Sequence, residues 1–450
     1  MMLRRIILPV CVVLGACMPG PSSDVSRAAP DIHYTLPPMK AFARAQPQPP
    51  IVSNVDLAQD FLDLAFTLES GRRLPVLTRF EGPVTVRVTG HTNPMMLQDL
   101  DRLLQRLRAE AGIDITLTQG EQANITVQAV TRAEIRRALP SAACFVVPNI
   151  SSLAEYRTAR RHDRTDWAQM QTRERLTVFL PSDVAPQEVR DCLQEELAQA
   201  LGPLNDMYRL SDSVFNDDNI HSTLTGYDML ILRAYYAPEL RSGMTRGEVA
   251  ARLPALLSRL NPAGDSLPPR RLSPTPRSYT LAIETALGPG ANPAQRRAAG
   301  AEALQIARTM GWQDHRKAFA HYAMGRLTQP VDADRAQAHF VAADRIYAMN
   351  PGTELHRAFT ASQLAGYALA EGRAQDVLQM VTPRLEIAAR HENAALLATL
   401  LMLRAEALDR LGRREEAEAA RLDSLGWARY GFGADWAVRA KLREVASLSQ

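Results

Sequence analysis

Cysteine is scarce in this chain of 450 residues, with four in all. A disulfide-dense scaffold, which needs several bridges in a short sequence, is thereby excluded. Aromatic residues make up 6%, and no basic stripe interleaves with them, so nucleic acid is not an expected partner. Lysine is rare. Arginine is plentiful but scattered among acids, and the formal net charge is only +3. Long apolar runs are missing. The stretch at residues 6–15 is too short to span a bilayer, and nothing later approaches the roughly 20 residues a spanning helix needs. No phosphate-cradling glycine loop, dinucleotide fingerprint or nucleophile elbow is apparent. The nine histidines are dispersed, and in the first half only His91, His162 and His221 occur within a patterned region.

What is present begins with an address. Arg4 and Arg5 precede the apolar stretch, which ends Leu14-Gly15-Ala16-Cys17. This end resembles a bacterial lipobox. The resemblance implies cleavage before Cys17, a lipid on its thiol and attachment to a membrane; the alternative is an ordinary secretory signal with a chance cysteine. Met18 stands where Asp would retain such a protein at the inner membrane, which implies the outer membrane, facing the periplasm. Cys11 leaves with the signal and Cys17 takes the lipid. Cys144 and Cys192 then remain as an even pair in an oxidising space. A disulfide between them is expected, worth roughly 4–5 kcal/mol in the chain-entropy picture; two buried free thiols are the alternative.

The organisation follows from punctuation and period. Residues 1–17 are the signal, and residues 18–53, rich in Pro, Ser and Ala, read as a flexible tether. Residues 54–260 mix helical and alternating patterns. Helices are predicted at 55–68 and 94–111 and from about Pro186, and strands at 84–88, 113–117, 125–130, 145–150 and 176–180. A mixed sheet crossed by long helices results. Five prolines within 261–277 mark a linker. Residues 278–450 are rich in Ala and Leu and helical throughout. Ala323-Met324-Gly325, Gly366-Tyr367-Ala368 and Ala405-Glu406-Ala407 open similar small-residue stretches, and glycine turns follow two of them at Gly372 and Gly412. These features resemble degenerate tetratricopeptide repeats, although the spacing exceeds the usual one. An irregular helical bundle is the alternative.

The stretch Glu195-Glu196-Leu197-Ala198-Gln199-Ala200-Leu201-Gly202-Pro203-Leu204-Asn205-Asp206 carries the most chemistry. It resembles the helix of zinc peptidases, in which two His lie four apart, a Glu follows the first and a third ligand comes after a glycine. Glu195 stands at the first ligand position, Gln199 at the second and Asn205 at the third. Glu196 keeps the place of the general base. Ser213-Val214-Phe215 and then Leu224-Thr225-Gly226-Tyr227-Asp228 are similar to the Met-turn and final helix of matrixin-like enzymes, with Phe215 in place of Met. The whole pattern is similar to an uncharacterised bacterial lipoprotein family, domain of unknown function 2927. The resemblance implies an α+β zincin-like domain followed by an all-α tetratricopeptide-like domain, and no known activity.

Zinc prefers imidazole and thiolate, whereas Glu195, Gln199, Asn205 and Asp206 offer oxygens and amides. No cofactor is expected; a weakly bound divalent cation is the alternative. Four readings of these residues stand side by side: a buried polar network with Asn205 and Asp206 capping the next turn, a cleft for a peptide or small ligand, a non-zinc metal site, and residual catalysis. Asn216-Asp217-Asp218-Asn219 reads as a solvated turn. The expected function is a non-catalytic envelope lipoprotein whose helical repeats hold an envelope protein partner. The alternative is an atypical metal-dependent hydrolase using Glu196 as general base.

Overall fold

The structure is a computed structural model that describes residues 36–43, 47–140, 142–270 and 272–448. The signal segment, Cys17 and the early part of the expected tether lie outside them. A small mixed α/β sheet region comes first and a many-helix, all-α region follows.

The first region contains α1 (Asn54–Phe66), β1 (Val84–Gly90), α2 (Pro94–Ala111), β2 (Ile115–Leu117), β3 (Ile125–Val130), α3 (Arg132–Ala138), β4 (Phe145–Pro148), α4 (Leu153–Ala159), β5 (Leu176–Pro181), α5 (Pro186–Leu201), α6 (Gly226–Tyr235) and α7 (Arg246–Leu260). Every predicted strand is present within a few residues. The short helices α3 and α4 were not anticipated, because seven residues carry too little periodicity to read. Local chemistry explains the boundaries of the longer ones. Ser53 accepts from the amide of Asp56 to start α1. Asn93 and Pro94 start α2, and Gly112, in the left-handed region at φ 69°, ends it.

The five strands run in the order β2-β1-β3-β5-β4. The first four in that order pair in parallel, and β4 pairs antiparallel to β5 at the edge, with Phe145 opposite Phe179. β5 is buried on both faces, as its apolar run, broken only by Thr177, requires. Leu176, Val178 and Leu180 point into the main core with α2 and α5. Phe179 points the other way, against Phe145, Ile135 and Leu153. Cys144, beside β4, is joined to Cys192 of α5 across a Cα separation of 5.9 Å. The expected bridge therefore exists and pins the motif helix to the edge strand. Replacing both cysteines by serine should cost about 2–5 kcal/mol. A thermal-unfolding comparison checks this, and equal stability of the two forms would refute it.

The second region contains α8 (Arg277–Leu287), α9 (Pro293–Thr309), α10 (His315–Thr328), α11 (Ala333–Ala348), α12 (Glu354–Ala370), α13 (Ala374–Arg390), α14 (Ala394–Arg410), α15 (Arg414–Phe432) and α16 (Asp435–Ser447). Consecutive helices pack in pairs, α10 on α11, α12 on α13 and α14 on α15. The three small-residue stretches fall on α10, α12 and α14, the first helix of each pair. A Cβ on Gly325 would stand 2.6 Å from the ring of Phe340, so only glycine permits that crossing. Gly372 and Gly412 adopt the left-handed φ values of 77° and 76° that the tight turns into α13 and α15 demand.

The two regions meet along a buried polar seam. Arg190 of α5 donates to the backbone carbonyl of Glu392 (2.8 Å) and to Ser222 Oγ (3.2 Å). Glu392 also pairs with Arg102 at 2.8 Å. Tyr430 donates to Asp99 (2.7 Å), and Gln187 bonds Asn393 and the amide of Ala395. Residues 261–277 are tied to both sides. Arg270 pairs with Asp60 of α1, while Trp312 and Arg316 donate to Ser273. Part of the stretch read as a tether is docked too. Lys40 donates its amide to Gly426 O (3.1 Å), and Phe42 stacks on Trp427 with ring centroids 4.5 Å apart. No helix among the described residues is long and apolar enough to cross a membrane.

Candidate functional site

The motif helix α5 is buried almost all round. Leu193, Leu197 and Ala200 join the main core. Glu195 and Gln199, four apart, share a different face. The helix end is held rigidly. Arg173, 3% exposed, donates to the carbonyls of Gln199 (2.5 Å), Ala200 (2.8 Å) and Gly202 (2.5 Å). A buried guanidinium there satisfies carbonyls that the helix leaves open and complements its dipole.

Glu195 and Gln199 face a cleft that other elements complete. Gln199 Nε2 lies 3.5 Å from Glu69 Oε1, in the turn after α1. Burial raises the proton affinity of Glu69, and Asp206 and Gln199 beside it oppose the rise. Asp217 comes from the loop before α6, and Glu284 from α8 of the helical region; both act electrostatically on the group. Glu196 lies at the floor, 5% exposed, and its Oε2 has no hydrogen-bond partner. Asp206 Oδ1 is likewise buried and unpartnered.

Burial and mutual repulsion raise these carboxyls together. Glu195 is pushed up to about 8, by lost solvation first and then by Glu69, Asp217 and Asp191. Asp217 is pushed to about 7, by lost solvation and then by Glu69 and Glu284. Glu196 and Asp206 are held well above the carboxylate range for the same reasons. Glu69 and Glu195 keep solvent contact at the rim while protein fills most of the space around them. The latter governs their proton affinity.

The predicted residues do not all meet. Glu195, Glu196, Gln199 and Asp206 converge. Asn205 instead donates to the backbone carbonyl of Asp63 (3.1 Å), tying the loop to α1. The expectation that Asn205 caps the next turn is therefore corrected: the chain after α5 has no helix until α6. The zinc of the peptidase resemblance does not fit this donor set, which is carboxyls and one amide with no imidazole. Among the described residues, no three His, Cys, Asp or Glu side chains are arranged to hold a metal ion.

The segment read as a solvated turn is largely buried. Asn216 donates to Leu210 O (2.7 Å), and Asp218 receives His356 Nε2 at 2.8 Å. Phe215 is fully buried. Its loop is held by Asp228, which accepts from Ser213 Oγ (2.5 Å) and from the amide of Val214 (3.1 Å).

Sequence reading also missed a histidine cluster. His221 meets neither His91 nor His162 in a ring contact. It packs instead against His356 and His391 of the helical region, with centroids 5.8 and 5.1 Å away, and His315 lies 6.5 Å from His356. Nothing local marks these four as neighbours, since three come from separate helices or turns of the other region. A cavity of about 530 Å³ lies beside this cluster, lined by Arg106, Asp212, Tyr227, Arg270 and His391 among others, and includes none of the acidic cleft residues. Its arginines are already committed, Arg106 to Glu110, Arg270 to Asp60 and Arg390 to Glu386.

Residues 54–255 match a sequence family described as Protein of unknown function (DUF2927). That span covers the sheet, the motif helix and most of α7, and stops short of the helical region. No curated protein matches the chain, and no solved structure does.

Proposed function

We propose that this chain is a cell-envelope lipoprotein whose first region is a degenerate, non-catalytic metallopeptidase-like domain. Its helical region acts as a tetratricopeptide-like module that holds an envelope protein. The boundary between the two is placed in residues 261–277. The observation that carries the reading is the motif helix itself. It follows the last strand of a mixed sheet, as in a zincin, yet presents Glu195, Glu196 and Gln199 to a cleft of further carboxyls where a peptidase needs imidazoles. A carboxyl such as Glu196, surrounded by like groups, can accept a proton. It has no electrophile beside it to polarise a scissile carbonyl. Three helix pairs with small-residue crossings and glycine turns support the interaction module.

The deciding experiment is metal analysis of the purified chain together with a broad peptidase assay. Less than one-tenth equivalent of zinc and no turnover are expected. Stoichiometric zinc, with turnover abolished by Glu196→Gln, would establish the hydrolase instead. Anchoring is tested separately. Cys17→Ser should leave the precursor without lipid and out of the outer-membrane fraction, and undiminished lipid labelling of that variant would refute the lipobox.

A further inference from the structure

About half of the acids in this protein are in ion pairs. Arginines reach Asp60, Asp63, Glu110, Asp314, Asp344, Glu392 and others within salt-bridge distance. The acids of the cleft are not among them. None of Glu69, Glu195, Glu196, Asp206, Asp217 or Glu284 forms an ion pair among the described residues. The buried cation nearest the motif helix end, Arg173, spends its donors on backbone carbonyls. Six carboxyls from five separate segments of the chain thus converge without an ion pair; the cation at the rim, Arg277, donates to the backbone carbonyl of Glu69 at 3.2 Å.

Their burial is graded. Glu69 and Glu284 are exposed at the rim, Glu195, Asp206 and Asp217 are half-buried below them, and Glu196 is buried at the floor. The floor supplies an independent observation. Glu196 is more than nine-tenths buried, the carboxyls acting on it are Glu195 and Glu69, and its Oε2 is unpartnered. A buried acceptor of that kind ordinarily has a donor. The chain supplies none to that oxygen.

We propose that this cleft binds an arginine side chain of a polypeptide partner, inserted between the motif helix and α8. The inference rests on the reading of the first region as a cleft without zinc, and it names that cleft's ligand. A guanidinium carries five donors in a planar fork and no acceptor, which suits a pocket lined by carboxyls whose one amide, Gln199, already donates to Glu69. Its single charge is spread over a plane, so several carboxyls at different depths can share it. A compact divalent ion needs its ligands gathered at one point, and these acids are not gathered so. Because Glu284 belongs to the helical region, the inserted side chain would touch both regions at once.

The test uses a fluorescein-labelled peptide of alternating alanine and arginine, titrated into the full chain at physiological salt. A second peptide of the same sequence carries citrulline for arginine, keeping the shape and losing the charge. Saturable binding of the arginine peptide is expected, with the citrulline peptide at least tenfold weaker. Glu195→Gln and Asp206→Asn should each weaken binding about tenfold. Glu415→Gln, on the exposed face of α15, should leave it unchanged. These replacements relieve repulsion, so folded variants are expected; circular dichroism confirms it, and Asp217→Asn stands in for any that fails. No binding, equal affinity for the citrulline peptide, or equal affinity in the cleft variants would overturn the proposal. Calcium that displaces the arginine peptide at micromolar concentration would overturn it in favour of an inorganic cation. Stoichiometric zinc in the purified chain is a different result, since it removes the underlying reading of the first region and not merely the ligand.

Discussion

Arg190→Ala is expected to destabilise the protein by about 3–5 kcal/mol. The guanidinium is 1% exposed and stands between the rings of Phe42 and Tyr430, 5.9 and 5.4 Å from their centroids. It donates to Glu392 O and Ser222 Oγ, and its Nη1 lies 3.6 Å from Glu392 Oε2. Removing it leaves Glu392 buried with Arg102 as its remaining cation and opens a void where the two regions and the segment 36–43 come together. The lost packing adds to the lost charge. The arrangement is not fully satisfied, because Arg190 Nε and Nη1 have no hydrogen-bond partner. The double change Arg190→Met with Glu392→Gln should therefore recover part of the loss, since it restores volume and removes one of the two carboxylates, Glu392 and Asp191, that lose Arg190. Urea unfolding near neutral pH measures both. A cost below about 1 kcal/mol for Arg190→Ala would mean that water reaches the seam and that the two regions are held elsewhere.

Stability should also depend on pH in two opposed ways. Burial pushes His315 and His391 down to about 4 from the ordinary 6.5, and His221 lower as well. Neighbouring His356 depresses all three, and Asp314 and Asp218 oppose the effect at His315. Between pH 4 and 6.5 the unfolded chain therefore binds protons that the folded cluster refuses. This contribution is complete above 6.5 and is lost as pH falls toward 4. The cleft carboxyls do the reverse. Glu195 at about 8 and Asp217 at about 7 hold protons that the unfolded chain has released. Their contribution is complete below about 4 and is lost as pH rises through 8.

The two slopes oppose each other below pH 6.5, while above it only the carboxyl slope remains. The melting temperature should therefore fall between about pH 6.5 and 8.5. The loss should amount to about 2 kcal/mol once solvent at the rim of the cleft is allowed for. Glu195→Gln should flatten that decline and change little at about pH 5. His315→Gln should act only on the acid side. Calorimetric scans across the range decide the matter; a decline that survives in Glu195→Gln and Asp217→Asn alike would place its source outside these two acids, as at Asp212, which burial pushes to about 7.

Much of this architecture is written locally in the sequence. Strands β1 to β5 lie where apolar residues alternate or run unbroken, because each step along a strand turns the side chain to the opposite face. α2 begins at Pro94 and ends before Gly112 because those residues suit the two ends of a helix and little else. The turns at Gly372 and Gly412 follow from φ values that glycine accepts without cost. The bridge between Cys144 and Cys192 followed from elimination, with no geometry needed. The place of α5 and the absence of imidazole from residues 195–206 were equally plain.

Tertiary structure alone decided what surrounds that helix. Glu69 and Glu284 join the cleft from opposite sides of the motif, and no spacing rule connects a turn after α1 with a helix beyond the prolines. Asn205 was misassigned because its partner is a backbone carbonyl of α1, which no side-chain pattern announces. Asp218 looked like part of a hydrated turn, since a run of Asn and Asp is locally polar. It is buried because His356, from a helix of the other region, arrives to bond it. Arg190, Glu392 and the histidines likewise lie far apart in the sequence and meet only when the two regions pack. Period and turn chemistry are short-range and survive in the one-dimensional string. The meeting of charged side chains from distant segments depends on how whole regions pack, and that is settled only when the core forms.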